Sequence, residues 1–90
     1  VDVLKIDQVF IRSMLNNSAA EAIIRSAIMM GHEMNLKVIA EGIETKEQLE
    51  HLKKLGCDYG QGYYISRPMP VELATTWLDA KRTQLMKIQA

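Results

Sequence analysis

Little in this sequence could cross-link it, and nothing marks it as a polyanion-binding or membrane-spanning protein. A single cysteine, Cys57, excludes an internal disulfide framework and suits a reducing compartment, where a lone thiol more often fills space than reacts. Eleven basic residues are matched by eleven acidic ones, for a formal net charge of zero. No basic run with interleaved aromatics occurs either, so binding to a nucleic-acid polymer is not expected. No apolar run is long enough to span a bilayer, and no secretory signal pattern or low-complexity linker is present. The 90 residues suit one small domain with a modest core. The first residue is Val1 and not methionine, which raises the expectation of a piece of a longer polypeptide, although processing or trimming would leave the same mark.

What is present centres on Lys37-Val38-Ile39-Ala40-Glu41-Gly42-Ile43-Glu44-Thr45. A short apolar run ends in two acidic residues and gives way to a helix-start signal, as at the carboxyl end of a buried parallel strand in a βα unit. Such ends are where α/β proteins keep their chemistry. Strand alternation places Ile39, Glu41 and Ile43 on one face and Val38, Ala40 and Gly42 on the other. Glu41 is therefore a carboxylate on an otherwise apolar strand, and it requires a cation or a donor nearby. A structural ion pair and a functional carboxylate both satisfy that requirement.

An earlier strand is expected at Val3-Leu4-Lys5-Ile6-Asp7, with Val3, Lys5 and Asp7 on one face and Leu4 and Ile6 on the other. Lys5 and Asp7 fit an exposed edge strand or the lining of a site. Residues 9–15 read as a connection or short helical turn. Ser18 with Glu21 forms a capping box, and the helix it opens carries Ile23, Ala27, Met30 and Met34 at helical spacing, a stripe assigned to the core. Met29, Met30 and Met34 are read as packing residues. Asn35 is the expected stop. Thr45 with Gln48 repeats the capping box, Leu49, Leu52 and Leu55 follow, and Gly56 ends that helix.

Residues 60–66 then read as one aromatic strand whose glycines imply close backbone approach or a bulge. Arg67-Pro68-Met69-Pro70 ends it. Pro70 opens a final helix with Leu73, Trp77, Leu78, Leu85 and Ile88 as its apolar stripe. The order β-α-β-α-β-α, with strands recurring every roughly 25–35 residues, fits right-handed crossovers and parallel strands. Their carboxyl ends would bring Lys5, Asp7, Glu41 and Glu44 to one edge, with Gln61 nearby. On these residues alone the chemistry would be hydrolysis or elimination.

Three segments, Asp2-Val3-Leu4-Lys5-Ile6-Asp7, Ala40-Glu41-Gly42-Ile43-Glu44-Thr45 and the run from Gly56 to Pro68, resemble the carboxy-terminal half of the EAL-domain family of bacterial cyclic-di-GMP phosphodiesterases. They occur in that family's order and spacing. The resemblance implies an α/β fold, the last three βα units of a TIM-type barrel, with residues 1–90 forming the carboxy-terminal portion of the domain. By position, Lys5 resembles the lysine beside the scissile phosphate and attacking water, and Asp7 the carboxylate that holds that lysine or a water. Glu41 resembles the essential glutamate, described as general base or as ligand of a second metal. Gln61 resembles the active-site glutamine, and Arg67 and Pro68 fall in the loop near a guanine base. Glu44 and Thr45 are assigned to capping the next helix and bracing the loop.

The resemblance also implies what these residues lack. The Glu-Ala-Leu signature, a metal-binding asparagine, a second glutamate and a pair of aspartates belong upstream of Val1 in the family's order. Mg2+ or Mn2+ would be held mainly by those ligands, so the 90 residues alone are expected to be inactive. A TIM barrel needs about 250 residues, so a three-stranded part would leave sheet edges open and Val3, Ile39, Ile43 and the 63–65 region facing water, favouring self-association. The implied partner is cyclic-di-GMP and the implied setting the bacterial cytoplasm, with a parent that could be membrane-attached. The competing reading is a degenerate EAL domain that binds the nucleotide or a protein partner without turnover.

Overall fold

A computed structural model describes residues 2–62 and 65–74. The elements run β1 (Val3–Ile6), α1 (Gln8–Ser13), α2 (Ser18–Glu33), β2 (Lys37–Ile43), α3 (Lys46–Lys54), β3 (Tyr59–Gly62) and β4 (Ile65–Pro70). Residues 71–74 are again helical. One four-stranded sheet has the order β1-β2-β3-β4. The first three strands are parallel, as the crossovers require, and β4 runs antiparallel to β3. The segment read as a single strand over residues 60–66 is thus two strands, and Arg67-Pro68-Met69-Pro70 extends the second one instead of ending the first. Glycine spacing announced an irregular backbone without revealing that the chain reverses. Tyr63 and Tyr64, and the final-helix residues Trp77, Leu78, Leu85 and Ile88, lie outside the described residues.

The core forms between one face of the sheet and the helices. Leu4 and Ile6 on β1, Val38, Ala40 and Ile43 on β2, Ile24 and Ile28 on α2, Leu49 and Leu52 on α3, and Ile11 on α1 join one cluster with Cys57, Val71 and Ala74. Burying each such aliphatic side chain contributes about 1.5–3 kcal/mol before chain entropy is subtracted. Burial pushes the Cys57 thiol up to about 11, so it is held as a neutral packing group.

Helix α2 turns a different face to the sheet from the one its spacing indicated. Ala20, Ile24, Ile28 and Gly31 are buried, whereas Ile23, Met30 and Met34 are 49%, 55% and 61% exposed, and Met29 is exposed too. Two apolar stripes lie side by side on this helix, and Gly31 decides between them. A Cβ there would come within 2.8 Å of Val38 Cγ2 and 3.2 Å of Leu4 Cδ2, so the glycine side is where helix and sheet approach closest. The cap also moves by one residue: Asn17 Oδ1 accepts from the Ala19 and Ala20 amides. Asn35 adopts φ 59° and stops the chain's helical course as expected. Beyond β4, Val71 and Ala74 are buried and Leu73 is exposed, so the helical start is rotated from the assigned stripe.

Asp58 ties the amino-terminal edge of the sheet together, a role its sequence position does not announce. Its Oδ2 accepts from the Val38 amide at 2.9 Å and lies 2.7 Å from His32 Nε2 on α2. Its backbone amide donates to the Val38 carbonyl, and its carbonyl accepts from Val71. Burial would raise the Asp58 carboxyl, but the bonds from Val38 and His32, with the charges of His32 and Lys37, outweigh burial and hold it below its ordinary value. A carboxylate with a depressed folded-state pKa stabilises the fold fully above the unfolded value of about 3.9, and loses that contribution as pH falls through the lower folded value. Asp58→Asn should cost about 1–3 kcal/mol at neutral pH and flatten the acid limb below pH ~4, measured as urea midpoints across pH. An unchanged acid limb would show that Asp58 does not carry it.

Candidate functional site

The carboxyl end of β2 is shaped by a bulge. Ala40 pairs with Gly60 and Ile43 with Gly62, so three steps on β2 are matched by two on β3. Gly42 absorbs the extra residue with φ 77°, and a Cβ at that position would collide with Gln8 Cβ at the start of α1. The bulge breaks the alternation. Ile43, expected beside Glu41, turns into the core with Val38 and Ala40, and Ile39 is buried as well, so neither faces water as the incomplete-barrel argument required. Val3 does, at 42% exposure. Glu41 is left half-buried at the bend.

An open pocket of about 480 Å³ lies there, lined by Asp7, Gln8, Glu41, Gly42, Glu44, Gln61 and Gly62. Each of three parallel strands delivers residues to it: Asp7 and Gln8 follow β1, Glu41, Gly42 and Glu44 end or follow β2, and Gln61 and Gly62 end β3. The topology thus brings together Asp7, Glu41, Glu44 and Gln61. Lys5, exposed on β1 and paired in register with Ile39, lies two residues before Asp7 and is not among the lining residues. Arg67 and Pro68 are exposed on β4, within its irregular register against β3, where a loop had been expected; they do not line the pocket either. Gln8, Gly42 and Gly62 were missed as pocket walls. Gln8 could have been found from its place at the first position of the helix that Asp7 opens.

Asp7 is the N-cap of α1, its Oδ1 accepting from the Val9 amide at 3.0 Å. Thr45 and Gln48 close the expected capping box at α3. Glu44 braces the loop through its backbone amide, which donates to Gln48 Oε1 at 2.7 Å, while its carboxylate lies 3.5 Å from Arg12 Nε. Both partners of that ion pair are more than half exposed, so it contributes little.

Three carboxylates and two side-chain amides around one opening can orient water or attract a cation. They repel a phosphodiester unless positive charge is added, since like charges at a few ångströms are costly. Among the described residues no group of three or more His, Cys, Asp or Glu side chains could hold a metal ion. The described residues therefore do not by themselves assemble a three-ligand site for a catalytic metal.

Parallel β-strands with crossover helices and acidic residues gathered at the strand ends define a part of a TIM-type barrel. The EAL domain family matches residues 1–68, and the chain belongs to that family. It is 45% identical over 69 residues to the bifunctional diguanylate cyclase/cyclic di-GMP phosphodiesterase MucR of Pseudomonas aeruginosa, covering 77% of this chain and 10% of that protein. It is 40% identical over 80 residues to the oxygen sensor protein DosP of Escherichia coli, covering 89% of this chain and 10% of that one. Among solved structures, a cyclic-di-GMP complex of the PaMucR phosphodiesterase superposes with a TM-score of 0.69 at 42% identity, over 82% of this chain and 30% of that one. An EAL domain protein from Listeria monocytogenes superposes with a TM-score of 0.69 at 36% identity, over 89% and 32%. The chain thus spans about a tenth of the length of these curated relatives.

Proposed function

We propose that residues 1–90 form the carboxy-terminal portion of an EAL domain, and that the complete barrel hydrolyses cyclic-di-GMP to linear pGpG. The observation that carries this reading is the meeting of Asp7, Glu41 and Gln61, from the ends of three consecutive parallel strands, in one pocket. In the reaction a water oxygen forms a new bond to phosphorus, one P–O ester bond breaks, and the departing oxygen takes up a proton. Glu41 accepts the water's proton or helps to hold a cation. Lys5 offsets charge that develops on the phosphoryl oxygens, and Asp7 orients Lys5 or the water. Gln61, Arg67 and Pro68 contact the nucleotide. Mg2+ or Mn2+ would take most of its ligands from outside these residues. A complete barrel carrying this segment should yield pGpG from cyclic-di-GMP, followed by chromatography; binding without product would instead assign it to nucleotide sensing.

Membership of the EAL domain family favours a setting in the bacterial cytoplasm. Separately, among the described residues no helix is long and apolar enough to cross a membrane. Alone, the chain associates with itself. The outer edge of β1 has no neighbouring strand among the described residues, and Val3, Ile23, Met30 and Met34 are exposed. Light scattering at tens of micromolar should give a mass of at least a dimer; a clean monomer would contradict this.

A further inference from the structure

Gln48 is the one charged or polar side chain among the described residues that is buried, at 7% exposure, and its capping role accounts for only part of its bonding. The capping box needs its Oε1, which accepts from the Thr45 amide at 3.2 Å and from Glu44 at 2.7 Å. Glutamate serves that purpose as well as glutamine. The amide nitrogen does something different: Nε2 donates to the Ile11 carbonyl at 3.4 Å, across 37 positions of sequence. Ile11 is fully buried on α1, the helix capped by Asp7 and started by Gln8, whereas Glu44 and Thr45 close the loop that follows Glu41 and Gly42. One side chain therefore ties Glu44, which lines the pocket, to the helix whose first residue, Gln8, lines the opposite side. The walls also touch where Gln8 packs on Gly42, a contact without a hydrogen bond, and the Arg12–Glu44 ion pair between them is exposed and weak.

We infer that Gln48 is a positioning residue that clamps α1 to the loop after β2 and so holds the Asp7–Gln8 wall in place against the Glu41–Glu44 wall of the pocket. The inference rests, for its catalytic consequence, on reading that pocket as the phosphodiester site. Its physical content is the amide donor. Replacing that donor by an oxygen leaves an acceptor facing an acceptor, which drives the walls apart while the cap survives.

Gln48→Glu makes the distinction. At neutral pH the introduced carboxylate still accepts from Glu44 and Thr45 but repels the Ile11 carbonyl. Hydrogen exchange of the chain should show residues 8–13 and 42–45 exchanging about tenfold faster, with residues 46–54 unchanged. On acidification the carboxyl takes up a proton and can donate to Ile11 again. Protection should return as pH falls through its titration, at or above the ordinary glutamate value of about 4.3 because the site is buried. Among the described residues, Asp7, Glu41 and Glu44 line these walls and Arg12 pairs with Glu44; the unsubstituted chain shares them, and its parallel pH series controls for them. Gln48→Ala should expose residues 46–54 as well and show no return. Unchanged exchange at residues 8–13 in Gln48→Glu, or loss with no recovery in acid, would overturn the inference. In a complete barrel, Gln48→Glu should lower kcat about tenfold with KM within about twofold. Unaltered kcat in an active barrel would contradict positioning, whereas a barrel inactive with Gln48 in place would count against the phosphodiesterase reading and leave the exchange result to decide the clamp.

Discussion

Gly62→Ala should lower stability by about 3 kcal/mol or more, read as a fall in the urea midpoint with unfolding already evident at low denaturant. A Cβ at this position would collide with the backbone of Ile43, its carbonyl oxygen, carbon and amide nitrogen together. A clash with a side-chain end is relieved by a rotamer change, but here the obstacle is the neighbouring strand. Relief requires β2 and β3 to separate at the Ile43–Gly62 pair, next to the bulge that places Glu41. The same motion would strip Ile43 from the core, so packing and pocket fail together. Gly56→Ala is the contrasting control. Its φ of 87° is unfavourable for alanine, unlike the backbone of Gly62, but no atom lies within 4 Å of the added Cβ, so the cost should be confined to about 1–2 kcal/mol of backbone strain. Equal effects at the two positions would show that strand approach at Gly62 is not the constraint described.

Glu41→Gln should reduce turnover of cyclic-di-GMP by a complete barrel at least about 100-fold, the usual scale for removing a general base, with the melting temperature little changed. The substitution keeps the size and the acceptor oxygen of the side chain and removes only its charge and basicity. Glu41 is half-buried at a bulge fixed by Gly42 and by the Ile43–Gly62 contact, so the amide would occupy the same place. A fall in kcat with KM nearly constant fits a residue acting on water; a large rise in KM would move Glu41 to nucleotide binding. Activity within tenfold of the unsubstituted barrel would remove Glu41 from the chemistry.

Much of this arrangement is legible in the sequence because local rules govern it. Thr45 with Gln48, Asn35 and Gly56 each act through their own backbone neighbourhood, and each appears where the residue types require. The βα order and parallel pairing of the first three strands follow from spacing and crossover handedness. Acidic residues at strand ends followed from the same logic and do line one pocket. What escaped depends on partners distant in the chain. The buried face of α2 is decided by Gly31 against Val38 and Leu4, and periodicity alone admits either of two stripes. The face of Ile43 is decided by one extra residue in the bulge, which a period of two cannot anticipate. The reversal into β4, the Asp58 bonds to Val38 and His32, and the reach of Gln48 to Ile11 all join residues whose proximity only the fold creates.

The central claim is that these residues hold one part of a phosphodiesterase site and depend on the rest of the barrel for cation ligands. It is tested most directly by incubating the pure 90-residue chain and a complete barrel containing it with cyclic-di-GMP and Mg2+ or Mn2+, and measuring pGpG. The account predicts product from the barrel and none from the chain. Turnover by the chain that disappears on Glu41→Gln would contradict it, because the chain would then be building a working metal site from its own residues.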